Sequence, residues 1–361
     1  MWTATMLFSS TLRVLNSRFK ARTATVLLCV SLFFTFSTLF RLPSQPALTE
    51  SPHRTSQGTV KATGLPPCRY PDPGLVGKLR PQLTSLPLSL RDLSEKFPDI
   101  RGGHWKPSDC VPQFRVLLII PFRDRWLHLS QFLDHYIPIL QRQKIDFRIV
   151  VSEQNGTDSF NKGRVMNAAY LESNKEFGFD CVIFHDIDAL LEDDRNLYVC
   201  PSTPRHLAPA VSRHNYTLKY PSLVGTALAF PNKHFEKVNG FSNSFWGWGG
   251  EDDEMAKRIL ASGLIIERPP TDIGRYTLIE HTKNKRVLQM EIQQHLIQAT
   301  QFRMFFDGIS TVKYKVLAKN VTPLFVHYIF DIGSLDPFEL RRLYQSAERN
   351  RRFLQRRYIW R

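Results

Sequence analysis

No acidic residue precedes Thr23, where Arg13, Arg18, Lys20 and Arg22 are the only charges. Residues 23–40, TATVLLCVSLFFTFSTLF, then carry no charge of either sign. A run of that length is just enough to cross a bilayer. No small-x-small cleavage pattern follows it, only Arg41, Leu42 and Pro43, which argues against a removed signal peptide. The run is expected to be an uncleaved signal anchor. Basic flanks stay cytosolic, so residues 1–22 are the expected cytosolic tail and the chain after Arg41 is lumenal.

Helix-turn-helix, zinc-finger and RNP patterns are also missing, so the formal charge of +15 is no nucleic-acid signature. Much of it is positional: from Asp336 onward eight arginines face three acids. There is no internal repeat. Cysteine is scarce, five in 361 residues, and Cys29 lies in the apolar run. The other four, Cys68, Cys110, Cys181 and Cys200, are an even number that fits two disulfides in an oxidising compartment. Asn155-Gly-Thr157, Asn215-Tyr-Thr217 and Asn320-Val-Thr322 have the form of N-glycosylation acceptors.

What is present suffices for a folded domain: 42% hydrophobic and 12% aromatic residues can bury one large core or two modest ones. Residues 41–66, rich in Pro, Ser and Thr, read as a stem. Residues 67–335 form the lumenal domain and 336–361 a basic extension with helix-compatible spacing.

Within the domain, RVLLII (115–120) reads as a buried strand, followed by a helix from Trp126 to about Gln143 with Pro138 as a kink. DFRIVVSE (146–153) is a second strand, a helix begins near Asn161, and CVIFHD (181–186) is a third strand. Alternation of this kind predicts a parallel, Rossmann-like α/β sheet. The third strand ends in Asp186 and Asp188. On an extended chain both carboxylates point to one side and can converge on a hard cation. Further on, FWGWGGEDDEM (245–255) joins a glycine turn to a helix running to Leu260. Gly247, Gly249 and Gly250 give the backbone freedom to bring Trp246 and Trp248 to a ligand. Glu251, Asp252 and Asp253 suit the positive helix end. Capping alone explains acids there, but not the tryptophan turn before them.

The ordered set IPFRDR, FNKGRVMNAAY, FHDID, NGFSNSFWGWGGEDDEM and GRYTLIEHTKNK resembles the motifs of the animal β-1,4-galactosyltransferase family, which includes invertebrate N-acetylgalactosaminyltransferases. The likeness runs from about Cys68 to Gly333. It implies a GT-A fold with a mostly parallel sheet behind the anchor, and a type II Golgi membrane protein. It also implies inverting transfer of Gal or GalNAc from the UDP-sugar to the 4-hydroxyl of a terminal sugar, GlcNAc foremost, on a glycoprotein or glycolipid. By this resemblance Asp188 and His281 bind Mn²⁺, and Asp186 faces the donor. Phe122, Arg123, Arg125, Phe160 and Lys162 contact the nucleotide, with lysine replacing the usual arginine at 162. Asp252 is the base, supported by Glu251 and Asp253, and acts at an ordinary carboxylate pKa. Trp248 moves over the donor, and Trp248, Gly249, Asp252 and Asp253 meet the acceptor. The resemblance pairs Cys68 with Cys110 and Cys181 with Cys200. A homodimer or a partner glycosyltransferase is a further expectation.

Three further departures concern the metal, acceptor and donor sites. Leu278 replaces a methionine metal ligand, so Mg²⁺ or Co²⁺ is expected to serve alongside Mn²⁺. Gln293 and Gln294 occupy the acceptor pocket's arginine and phenylalanine positions, which opens glucose or xylose as acceptors. Leu223 replaces a donor-pocket tyrosine and is expected to admit UDP-GalNAc at least as well as UDP-Gal, with Thr226 in place of a glycine beside it. Two rivals remain to be weighed. An EF-hand at Asp186 fails because Leu190 and Leu191 occupy a ligand position and the required glycine position. A catalytically silent, lectin-like relative is opposed by the intact Asp186, Asp188, Trp248, Asp252 and His281. His185, His206 and His327 read as structural or exposed.

Overall fold

The computed structural model describes residues 64–280 and 287–359. The expected anchor, most of the expected stem and the expected metal ligand His281 lie outside these residues. Among the described residues no helix is long and apolar enough to cross a membrane.

The chain enters through α1 (Leu90–Lys96), whose N-terminus is closed by a capping box between Ser89 and Asp92, and the short β1 (His104–Trp105). Next comes β2 (Arg115–Phe122), buried along all but its first residue. Its side chains alternate between two cores: Val116, Leu118, Ile120 and Phe122 enter one, Leu117 and Ile119 the other. A strand covered on both faces needs a continuous apolar run, and RVLLII supplies it.

Helix α2 (Trp126–Arg142) packs on the first of these cores. It lacks a side-chain cap and runs on through Pro138. An interior proline costs about 3 kcal/mol, but Leu129, Phe132, Leu133, Tyr136, Ile137 and Leu140 are all buried, each contributing roughly 1.5–3 kcal/mol. Burial wins. β3 (Asp146–Gln154) follows, then α3 (Lys162–Glu176) on the second core, capped where the Asn161 side chain accepts the Arg164 N–H at 2.9 Å. β4 (Cys181–His185) completes the group, and β2 pairs in parallel with both β3 and β4.

The remaining elements are β5 (Ala189–Leu191), β6 (Arg205–His206), β7 (Ala210–Val211), a 3₁₀ turn at Ser212–His214, β8 (Ala227–Pro231) and α4 (Asn232–Lys237). They are followed by α5 (Glu251–Ala261), β9 (Arg275–Leu278), α6 (Met290–Gln298), α7 (Thr300–Arg303), β10 (Lys315–Val321), β11 (Val326–Asp331) and α8 (Pro337–Ile359). The main sheet runs β10-β11-β3-β2-β4-β8-β6, with β1 also paired to β3, and β5-β9-β7 form a second small sheet.

The sheet corrects the expected mostly parallel architecture. β11, β3, β2 and β4 are parallel neighbours, whereas β10, β8, β6 and β1 all pair antiparallel. The fold is a mixed α/β sheet. The helical crossovers legible in the sequence produce only its parallel centre. Both disulfides implied by the resemblance are present, Cys68–Cys110 and Cys181–Cys200. The second ties the start of β4 to the segment beyond β5.

Candidate active site

β2, β3 and β4 end together at Phe122, Gln154 and His185, and residues just past those ends line one cavity of about 170 Å³. Arg123 and Arg125 come from the turn after β2, Phe160 and Lys162 from the junction of β3 and α3, and Asp186 and Asp188 from the turn after β4. Ligands of open α/β sheets sit beyond the carboxyl ends of the strands. Trp248, Gly249, Glu251 and Asp252, at the entry to α5, complete the wall.

The acidic pair departs from its expected geometry. β4 stops at His185, and Asp186 to Asp188 form a turn rather than extended chain. The Asp186 N–H donates to the Thr226 carbonyl at 2.8 Å, while the Asp188 carbonyl accepts the Ile279 N–H at 2.7 Å. The turn is therefore pinned on two sides, and both residues line the cavity without period-two alternation. Behind it, the buried His185 donates from Nδ1 to the Asp186 carbonyl and accepts the Tyr198 hydroxyl at Nε2, each at 2.8 Å. Burial lowers its pKa to about 4, which keeps the ring neutral, and the Asp186 carbonyl, able only to accept, sets the Nδ1–H tautomer.

Lys162 is the electrostatic hub. Its ammonium lies 2.8 Å from Asp186, 3.5 Å from Glu251 and 3.7 Å from Asp252. Burial alone would lower its pKa, but Asp186, Asp252 and Glu251 outweigh burial and hold it well above the ordinary lysine value. Asp252 shows the opposite balance. Burial pushes it up, Lys162 pulls it back, and Glu251, Asp186 and Asp253 push it further, to about 8. The expected ordinary carboxylate pKa is thus corrected: like charges and desolvation gather around Asp252 faster than one cation compensates.

Backbone detail sets the position of Asp252. Gly250, the residue before α5, has φ 95°, and a Cβ there would sit 2.7 Å from the Phe245 ring. It offers no capping side chain, so the four acids of the first turn, Glu251 to Glu254, meet the positive helix end instead. A Cβ on Gly225 would fall 2.7 Å from Asp252 Oδ2. At the far end of this helix segment Arg258, fully buried, binds Glu254 at 2.7 Å.

Several expected site residues lie elsewhere. Phe122 is buried under the cavity against Trp126, ring centroids 4.7 Å apart, and does not line it. Trp246 is core, stacked beneath the Arg164 guanidinium, whereas Trp248 is 45% exposed at the cavity. Asp253 accepts the Tyr220 hydroxyl at 2.7 Å and stands off the cavity wall. Leu223 also stands off it. Its carbonyl is held by Arg268, and Val224 and Thr226 line a separate small pocket that shares Lys162, Asp186 and Asp252 with the cavity. Gln294 is exposed, and Gln293 is buried with its amide on the Trp248 and Gly249 carbonyls at 3.1 and 2.9 Å. Leu278 packs against the first core.

Arg213 lines the cavity and was not legible beforehand. It belongs to no motif. Only the 3₁₀ turn after β7, tied to β9 by the Ser212 hydroxyl and the Leu278 N–H at 2.9 Å, brings it there. Of the expected histidines, His206 is buried and His327 is buried against Glu153 at 2.6 Å.

Residues 68–201 match the N-terminal region of glycosyl transferase group 7, and residues 205–282 match the N-terminal domain of galactosyltransferase. The chain is 40% identical over 271 residues to mouse β-1,4-galactosyltransferase 2, covering 74% of this chain and 73% of that one. It is 36% identical over 304 residues to human β-1,4-galactosyltransferase 3, covering 84% and 74%. The chain belongs to the β-1,4-galactosyltransferase family. It is accordingly a UDP-sugar-dependent β-1,4-glycosyltransferase. Among solved structures, the catalytic domain of Drosophila β-1,4-galactosyltransferase 7 in complex with xylobiose aligns with a TM-score of 0.55 and 27% identity, over 63% of this chain and 98% of that one. A mutant of the same Drosophila enzyme, in complex with manganese, UDP-Gal and xylobiose, aligns with a TM-score of 0.54.

Among the described residues no three His, Cys, Asp or Glu side chains converge on a cation site. Of the two expected metal ligands, the described residues include only Asp188. Asp188 is buried at the cavity, and β9, paired to β5 with Leu278 opposite Ala189, carries the chain past it. His281, outside the described residues, follows Ile279 by two positions.

Proposed function

We propose that this family member transfers galactose from UDP-galactose to the 4-hydroxyl of a terminal sugar, inverting the anomeric centre. The observation that carries the reading is the seat of Asp252, 3.7 Å from Lys162 on the cavity that Asp186, Asp188 and Trp248 also line. In this reading Asp252 accepts the acceptor hydroxyl's proton as that oxygen bonds to the anomeric carbon and the bond to the UDP oxygen breaks. Arg123, Arg125, Lys162 and Arg213 line the wall where the diphosphate leaves, so that its growing charge meets cations. Trp248 covers the sugar and excludes water. Asp188 and His281 would hold a divalent cation, Mn²⁺ by analogy with the Drosophila relative, which supplies Lewis-acid stabilisation of the diphosphate.

The expectation of equal or better GalNAc transfer rests on Leu223 opening the donor pocket. With neither Leu223 nor Thr226 on the cavity wall, galactose is the better reading. Gln293 is engaged with the tryptophan turn, so the acceptor's ring is read by Trp248, Gly249 and Asp252. GlcNAc is the acceptor proposed, on a glycoprotein or glycolipid. A Golgi, type II placement is proposed on three supports: the uncharged run at 23–40, the two disulfides, and the exposure of Asn155, Asn215 and Asn320. The test crosses UDP-Gal and UDP-GalNAc with GlcNAc, glucose and xylose on the purified lumenal domain with Mn²⁺. Preferred transfer of galactose to GlcNAc is expected. A tenfold or greater preference for UDP-GalNAc would return the donor assignment to Leu223.

A further inference from the structure

Gln293 offers a site residue that the family likeness does not explain. It lies in α6, is 6% exposed, and aims its amide N–H groups at two consecutive carbonyls of the tryptophan turn, those of Trp248 and Gly249. Its Cβ lies near the position a Cβ on Gly250 would take, at 3.5 Å, so side chain and turn are in close contact. On the same helix Ile292 and Leu296 join Phe245 and Leu288 in a small separate core. Leu340, Leu343, Tyr344 and Ala347 of α8 cover that core, and His295 is bonded to Ser346 at 3.0 Å. Phe245 stands at the base of the tryptophan turn, so one cluster joins the turn, α6 and α8. α8 begins at Pro337, past the end of the motif likeness at Gly333.

We propose that Gln293 is a positioning residue that holds the Trp248–Gly249 backbone in place, and that α8 braces the helix carrying it. The proposal rests on the transferase reading only for its effect on turnover. A turn of Gly247, Trp248, Gly249 and Gly250, with three glycines at positive φ, has little intrinsic preference for one shape. Two donors from a buried amide supply it. An amide is suited to this because it presents two N–H groups without charge, one for each carbonyl.

The test compares Gln293→Met, which keeps length and removes both donors, with Gln293→Arg, which restores N–H donors, and with Leu343→Asp, which loosens α8. Hydrogen exchange of residues 246–251 is read on the full lumenal chain, alongside kcat and KM. Gln293→Met is expected to speed exchange of that segment at least tenfold and to lower kcat at least tenfold, with the exchange of β2 and β3 unchanged. Gln293→Arg is expected to recover exchange to within threefold. Leu343→Asp is expected to speed exchange in residues 290–298 and 246–251 together. Unchanged exchange of 246–251 in Gln293→Met overturns the proposal, and so does acceleration that Gln293→Arg leaves uncorrected. Acceleration in Leu343→Asp confined to α8 overturns the brace. Exchange is measured without turnover, so an absence of transfer in the unaltered protein counts against the proposed function and leaves this comparison intact.

Discussion

At the scale of single residues, the site is a contest over one proton. Asp252 binds it until about pH 8 because burial and three neighbouring acids outweigh Lys162. A base acts as its carboxylate, so kcat/KM is expected to rise with pH along a limb centred near 8 in the free enzyme. Lys162 lowers the Asp252 pKa, so Lys162→Met should move that limb to higher pH, whatever it does to the plateau. A limb that stays in place, or moves down, removes the coupling between the two. A second expectation concerns space. Gly225→Ala puts a methyl 2.7 Å from Asp252 Oδ2, which forces the carboxylate aside. Activity should fall about 10²-fold, the scale of losing a positioned base, with the melting temperature within a few degrees of the parent. Retained activity would show that the carboxylate tolerates displacement. Of these residues, Asp186, Asp188, Trp248 and Asp252 were legible because their motifs are dense and specific. Arg213 was not, since a lone arginine in a loop is indistinguishable from a solvated one until the backbone seats it.

At the scale of elements, the turns carry what alternation cannot predict. The aspartate pair follows the strand as a turn because Thr226 and Ile279 claim its backbone groups. Those partners lie 40 and more positions away in sequence, beyond any local pattern. Thr226 itself has φ 76°, a conformation that costs a β-branched residue about 1–3 kcal/mol. Glycine removes that strain but loses more chain entropy on folding, roughly 0.5–1 kcal/mol. Thr226→Gly is therefore expected to stabilise the protein by about 1 kcal/mol, read by denaturant unfolding. Equal or lower stability would show that the hydroxyl or methyl contributes more than the backbone strain takes away. The two tryptophans make the same point about locality. Trp246 and Trp248 share one WGWG pattern, yet Trp246 packs inward under Arg164 and Trp248 faces the cavity. Glycine between them turns the chain, and sequence alone does not say which way.

For the whole molecule, the parallel centre was readable because each strand and helix carries its own periodicity. The antiparallel flanks were not: β6 and β8 join it through irregular segments whose direction no local signal fixes, and β10 folds back on β11 through a short turn at residues 322–325. The disulfides entered through the family likeness, and Cys181–Cys200 closes a loop over a separation of 19 residues. Removing it should cost about 3 kcal/mol, so Cys200→Ser is expected to lower the unfolding midpoint markedly. An unchanged midpoint would mean the segment beyond β5 is held by its other contacts. The central claim is that this fold uses Asp252 to move galactose onto a sugar hydroxyl. It is tested most directly by incubating the lumenal domain and its Asp252→Asn variant with UDP-galactose, Mn²⁺ and GlcNAc, and assigning the product by NMR. The account predicts a β-1,4-linked disaccharide from the parent and at least a 10²-fold slower rate from the variant, with UDP binding retained in both. A variant within tenfold of the parent, or a parent that binds UDP-galactose and transfers to no sugar, contradicts it.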